Sequence, residues 1–294
     1  MFRMLIPVDF EESTSRACQY AFRLAAAAPQ AEILLLHCFR DYLTDPWQTP
    51  AEVAPEKVTA SEEITERVLH RNEEEERGKL EALQKQLQST SPGQTVRLTT
   101  AFVNGLPEDV IPAETQRFQP DLVVMGTAGE DSMGRSVFGT VTTKMAEEVK
   151  VPVLSVPVQA SGRMLTRVLY ATDFDAADAQ AIASLQQLLA PFNPHILCLH
   201  ISSGAATQQD QEKLNSLAAE VKSLGPADNI RYTLLRGNDV PEALRNFVEK
   251  EQVDLLAVTN HKRSFLQGLL HPSLTKKLVL KAEVPLLIFH SSGA

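Results

Sequence analysis

The chain has 294 residues, 44% of them hydrophobic, with a formal net charge of −9 and three cysteines. This length and apolar content predict two packed domains and exclude a disordered chain, and the acidic balance excludes a nucleic-acid binder, which needs basic stripes to neutralise phosphates. Cys18, Cys38 and Cys198 sit in apolar runs and are too few for a disulfide framework, the N-terminus lacks a secretory pattern, and no apolar stretch approaches the roughly 18 residues that span a bilayer, so a soluble, cytoplasmic protein without a membrane partner is expected.

In chain order, Arg3 to Val8 is a short apolar strand closed by Asp9. Ser13 to Ala27 sets Ala17, Ala21, Leu24 and Ala28 at helical spacing. Glu32 to Phe39 reads as a second buried strand. After a loop from Asp41 to Pro55, Ile64, Val68, Leu80, Leu83 and Leu87 form a narrow apolar stripe. That pattern predicts one or two solvated amphipathic helices, with a partner-binding helix as the alternative. Val96 to Phe102 is a third strand, and Pro107 to Phe118 a short helix with proline in its first turn. Asp121 to Met125 is the fourth strand, Thr140 to Val149 a helix and Val153 to Val156 the fifth strand.

The series is then written again. Met4-Leu-Ile-Pro-Val-Asp-Phe10 matches Val168-Leu-Tyr-Ala-Thr-Asp-Phe174, and Ile33-Leu-Leu-Leu-His-Cys38 matches Ile196-Leu-Cys-Leu-His-Ile201. Asp121-Leu-Val-Val matches Asp254-Leu-Leu-Ala, and Val151-Pro matches Val284-Pro. The offset is 164 residues at Asp9 and 133 at Asp121, so the first copy carries about 31 extra residues, most of them between Arg40 and Thr95. The expected domains are 1–158 and 164–294, joined near Gln159-Ala-Ser-Gly162. Strands alternating with helices predict an α/β fold of two tandem doubly wound, Rossmann-like domains, each with a five-stranded parallel sheet in the order 3-2-1-4-5. Ligands of such sheets bind beyond the strand C-termini, where the strand order reverses. Asp9 and Gly126 would flank that crevice.

A glycine loop follows the fourth strand: Gly126-Thr-Ala-Gly129, then Gly139-Thr140 at a helix start. Glycines let the backbone approach an anion, and a helix N-terminus presents free N–H groups and a favourable dipole. Thr140 could cap the helix and donate a hydroxyl to a phosphate. These features predict a nucleotide site.

The glycine spacing (Gly, two residues, Gly, nine residues, Gly, then Ser or Thr), the strand ending Pro7-Val-Asp9-Phe10, the pair Leu36-His37 and the run Val151-Pro-Val resemble the universal stress protein family in its tandem form. The resemblance covers essentially the full chain. It implies a stress-response regulator that binds ATP, ADP or AMP, with Mg²⁺ bridging the phosphates. It implies that Asp9 accepts from the ribose hydroxyls and that Pro7, Val8, Cys38 and Met125 line the base pocket. Gly126, Ala128 and Gly129 would pass close to ribose and phosphates, Gly139, Thr140 and Val141 would offer N–H groups, and Thr142 a hydroxyl. It also implies pairing of the fifth strands, here Val153 to Val158 with Pro285 to Phe289, into an intramolecular pseudo-dimer, with two chains associating further as a homodimer. One departure is Thr127-Ala128, where many binding members carry His or Arg; a side-chain phosphate contact is missing while the backbone cradle remains.

The second copy departs further. At the 133-residue offset, Thr259, Lys262 and Pro272 replace the three glycines and Ser273 replaces Thr140. No ATP binding of the family kind is expected there. His261-Lys-Arg263 reads as an exposed basic loop, with an anion site as the alternative. Asp173 reads as a cap for the following helix. His37 and His200 occupy equivalent strand ends and read as hydrogen-bonded structural residues rather than a catalytic pair. The histidines show no zinc spacing. Gly129 to Ser136 approximates a Walker A loop, but it follows the wrong strand and carries Glu130 and Asp131. Cys38 reads as a strand residue, not a nucleophile. A nucleotide-binding regulator with no catalytic residue is the first reading. A slow ATPase or self-phosphorylating enzyme and a scaffold binding no nucleotide are the alternatives, and no feature names a protein partner.

Overall fold

The first copy folds as β1 (Phe2–Val8), α1 (Glu12–Ala27), β2 (Ala31–Phe39), α2 (Thr59–Thr90), β3 (Val96–Asn104), α3 (Pro107–Phe118), β4 (Leu122–Thr127), α4 (Thr140–Glu148) and β5 (Val153–Pro157). The second follows as β6 (Arg167–Ala171), α5 (Asp178–Leu189), a short 3₁₀ turn (Ala190–Phe192), β7 (His195–Ser202), α6 (Gln208–Leu224), β8 (Ile230–Arg236), α7 (Val240–Glu251), β9 (Leu255–Asn260) and β10 (Leu286–His290). The structure is a computed structural model that describes residues 1–39, 59–90, 96–127, 140–160, 164–203, 208–260 and 284–290.

The strands form one ten-stranded sheet in the order β3-β2-β1-β4-β5-β10-β9-β6-β7-β8. Each half is therefore a 3-2-1-4-5 parallel sheet, and the two are fused through their fifth strands. β5 and β10 pair antiparallel, with Leu154 opposite Leu287. The register repeats as well: Met4 pairs with Leu122 in the first half, and Val168 with Leu255 in the second. This is the pairing of fifth strands within one chain that the resemblance implied.

Near-continuous apolar strands bury both sheet faces, as covered parallel sheets require. Met4, Ile6 and Val8 point to one face, in a cluster that takes in Ala17, Ala21 and Leu24 of α1 and extends along the sheet to Tyr170, Ile182 and Leu185 of the second half. Leu5 faces the other way, onto Ile111 of α3 and Met145 of α4. The first face is thus a single core shared by the two halves.

The extra segment is a single amphipathic helix, one of the two forms expected, with most of its described side chains exposed. α2 is one continuous helix of 32 residues whose Leu80 and Leu87 are buried against the first face, with Leu83 packed beside them. The side chains of Ile64 and Val68 lie outside the described residues. One expectation is corrected: Asp173 does not cap the next helix, because α5 begins at Asp178 and Ala177 holds the N-cap position.

Candidate functional site

β1 and β4 are neighbours in the sheet, but the chain leaves their C-terminal ends in opposite directions, toward β2 and toward β5. A crevice must open between such strand ends. A cleft of about 1000 Å³ lies there, lined by Pro7, Val8, Asp9, Cys38, Met125, Gly126, Thr140, Val141 and Thr142. Ala128, Gly129 and Gly139, like the Walker-type segment with Glu130 and Asp131 and the basic run at 261–263, lie outside the described residues. So do Lys262, Pro272 and Ser273.

Gly126 has a steric reason. A Cβ built on it would lie 2.3 Å from the carbonyl carbon and oxygen of Ser13 and 2.8 Å from the Thr14 nitrogen. The start of α1 therefore packs directly against the backbone of β4, an approach open only to glycine. Leu36 and Cys38 project to the α3 face with Ile111, and together with Pro7, Val8 and Met125 they give the cleft an apolar wall. The opposite wall is polar.

Asp9 is exposed at the mouth, and its Oδ1 is engaged locally: it accepts the Thr14 hydroxyl and, at 3.0 Å, the Glu11 N–H. The carboxylate is thereby held at the strand end, although the N-cap position of α1 is Glu11. Thr140 is the first residue of α4. Thr142 is buried.

Phe10 adopts a left-handed backbone at φ 64°, a conformation costly outside glycine. Its ring lies 4.6 Å from that of His37. The His37 Nδ1–H donates to the Val8 carbonyl at 2.7 Å, tying β2 to the end of β1. The second half repeats this unit: Phe174 has φ 59°, its ring is 4.0 Å from His200, and the His200 Nδ1–H donates to the Thr172 carbonyl at 2.9 Å. Both histidines fasten strand ends.

Sequence reasoning missed the wall supplied by α2. Asn72, Glu75, Glu76 and Lys79 line the cleft, and Glu76 Oε2 meets His37 Nε2 at 2.8 Å. The run Glu73 to Glu76 carries no spacing that distinguishes a cleft wall from a solvated face. Arg77 also lies over the Phe102 ring, its guanidinium carbon 4.3 Å from the ring centroid and so within the roughly 6 Å reach of a cation–π contact. Among the described lining residues the charges are Asp9, Glu11, Glu12, Glu75 and Glu76 against one cation, Lys79, which pairs with Glu75 at 3.0 Å. The mouth is acidic.

Burial, with Glu114 and Glu108 adding to it, pushes the Cys38 thiol up to about 12. It stays protonated at neutral pH and is a lining group rather than a nucleophile. Among the described residues no group of three or more His, Cys, Asp or Glu is arranged to hold a metal. No helix among them is long and apolar enough to cross a membrane.

The second half differs at the matching place. Thr259 stands where Gly126 does, and a buried network surrounds it. The Tyr170 hydroxyl donates to Asp178 Oδ1 at 2.7 Å and meets the Thr259 hydroxyl at 2.6 Å. Asp178 Oδ2 accepts from the Thr172 hydroxyl at 2.6 Å and from the Asp175 N–H at 3.1 Å. Since the phenol has one proton and spends it on the carboxylate, Thr259 is the donor in its contact with Tyr170. Burial and the Asp178 charge raise the Tyr170 phenol well above its ordinary value.

This architecture is shared with known proteins. A universal stress protein from Archaeoglobus fulgidus superimposes over 98% of each chain at TM-score 0.70 and 15% identity. A universal stress protein solved in complex with cAMP covers 44% of this chain and all of its own length, at TM-score 0.37 and 22% identity. Universal stress protein Slr1230 of Synechocystis is 28% identical over 173 residues, so the match spans 58% of that relative and 58% of this chain. The model of the universal stress protein family matches twice, over residues 1–157 and 164–290, and the chain belongs to that family.

Proposed function

We propose that the first half binds an adenine nucleotide in the β1–β4 cleft, and that the protein is a cytoplasmic, nucleotide-responsive regulator in stress response rather than an enzyme. In this reading residues 1–158 form the binding domain and 164–294 its partner. One observation carries the proposal: candidate residues from the ends of β1, β2 and β4 and the start of α4 line one cleft, at the point where Gly126 admits the α1 backbone. The parts suit the ligand. Pro7, Val8, Cys38 and Met125 offer an apolar slot for the base, Asp9 a carboxylate for the ribose, and the α4 N-terminus a place for phosphate. ATP, ADP and AMP share this chemistry. Mg²⁺ would arrive on the phosphates of the longer nucleotides, near the acidic mouth.

The test is denaturation of the purified protein and analysis of the released small molecules, followed by calorimetric titration of wild type and Gly129→Glu with ATP. About one adenine nucleotide per chain, and loss of binding in the variant, is the expected result. A protein that releases none and ignores millimolar ATP would be the scaffold alternative.

A further inference from the structure

Helix α4 belongs to both halves. Its first residues, Thr140, Val141 and Thr142, line the cleft of the first half. Ala146, in its last turn, is fully buried in a cluster whose other buried members all come from the second half, among them Leu169, Leu256, Leu286 and Ile288. The last carbonyls of a helix have no partner within it. The Met145 carbonyl takes the Val149 N–H at 3.1 Å. The Ala146 carbonyl takes Nδ2 of Asn260 at 2.7 Å, a buried bond between residues 114 apart in sequence. A carbonyl only accepts, so the amide nitrogen of Asn260 must be the atom that faces it.

Asn260 is the last residue of β9 and follows Thr259 directly. The half that carries no glycine loop thus caps the helix whose other end faces the ligand cleft. α4 has nine residues, too short to be stable or straight without its contacts. Its length is about 13 Å, so a change of tilt at Ala146 is carried to the N–H groups at Thr140 and Val141. Hydrogen bonds from those groups weaken steeply when distance or angle is lost.

We infer that Asn260 is a positioning residue for the phosphate end of the first half's cleft, acting across the β5–β10 junction through α4. This rests on the nucleotide reading above and assigns the second half a role in it. The base and ribose groups sit on β1, β2 and β4, where the sheet pairing holds their backbone in place independently of the Ala146 carbonyl. Asn260 should therefore matter for the phosphate and not for the nucleoside.

The experiment uses the full chain and compares adenosine with AMP by calorimetry for wild type, Asn260→Asp and Asn260→Ala. Aspartate keeps the shape but has no N–H for the Ala146 carbonyl. The expected result is an adenosine affinity within about two-fold of wild type and an AMP affinity lower by about ten-fold, the scale of one lost charge-assisted hydrogen bond. A purely structural role would lower both ligands together, and that outcome, or no change in either, overturns the inference while leaving the nucleotide reading intact. Should the variants fail to fold, or adenosine alone fail to bind, wild type decides by hydrogen exchange. Coupling is reciprocal, so AMP should slow exchange across Leu255–Asn260; no protection there overturns the inference. Wild type that binds neither ligand removes the nucleotide reading and this inference with it.

Discussion

The two halves share strand order, register and a phenylalanine–histidine clasp, yet their switch points are built on opposite principles. In the first, Gly126 has no side chain and the α1 backbone lies against β4. In the second, Thr259 has a hydroxyl, and Tyr170, Thr172 and Asp178 join it in a buried network. The helices respond. Under the 164-residue offset Glu12 answers to Ala176, but α5 begins only at Asp178, the position that answers to Thr14. In the first half Thr14 gives its hydroxyl to Asp9 at the cleft mouth; in the second, Asp178 turns inward and gathers donors. One fold therefore supports a strand end kept bare for a ligand and a strand end stitched by its own side chains.

The largest effect should come from giving the first half what the second half has. Gly126→Val places a branched side chain where even a Cβ meets the Ser13 carbonyl at 2.3 Å. Backbone cannot yield as a side-chain tip can, so α1 must move. Overpacking of this kind costs roughly 3 kcal/mol, at the upper end of its usual range. Urea unfolding should show that loss, and AMP titration should show binding abolished. A variant with wild-type stability would mean that the α1–β4 approach is not what the glycine serves.

Tyr170→Phe tests the other side of the comparison. It removes the donor to Asp178 and the acceptor of Thr259, both buried, and leaves the ring in place. Unsatisfied buried polar groups of this sort cost about 1–3 kcal/mol. The same urea series should report that loss, with AMP affinity unchanged because the Asn260 bond to the Ala146 carbonyl is not part of this network. A drop in AMP affinity equal to that of the Gly126 variant would break the division of labour between the halves.

The fold was legible because its signals are local and repeated. Apolar runs such as Ile33 to Leu36 and the doubled Val-Asp-Phe and Thr-Asp-Phe endings mark strands, register and copy number in the sequence itself. That nine of the candidate residues would line one cleft was legible for the same reason, since strand ends and a helix start converge in any doubly wound sheet. Glu76, Asp178 and Asn260 were not. Glu76 is one of four consecutive glutamates, and only the docking of Leu80 and Leu87 decides which of them reaches His37. Asp178 looks like any early helix acid until Tyr170 is placed above it. Asn260 acts on a residue 114 positions away, which no local pattern encodes.

The smallest effect concerns the walls that α2 and α6 present to the matching histidines. His37 meets an acid, Glu76; near His200 the Phe174 ring instead has Lys213, 5.8 Å away. The His37 bond to the Val8 carbonyl is made through Nδ1 and the Glu76 contact through Nε2, so Glu76 is not required for the clasp. The Glu76 side chain is also 37% exposed, which places its pairing with His37 among the weakly stabilising surface contacts. Glu76→Ala should therefore cost less than about 1 kcal/mol in urea unfolding. Its effect on ligands has the opposite sign. Removing one negative charge from an acidic cleft should strengthen AMP binding, by roughly two-fold at low salt, and the gain should vanish near 1 M salt, where the screening length falls to about 3 Å. A loss of AMP affinity that salt does not alter would instead make Glu76 a direct ligand contact, and α2 a part of the binding site that the second half has no means to copy.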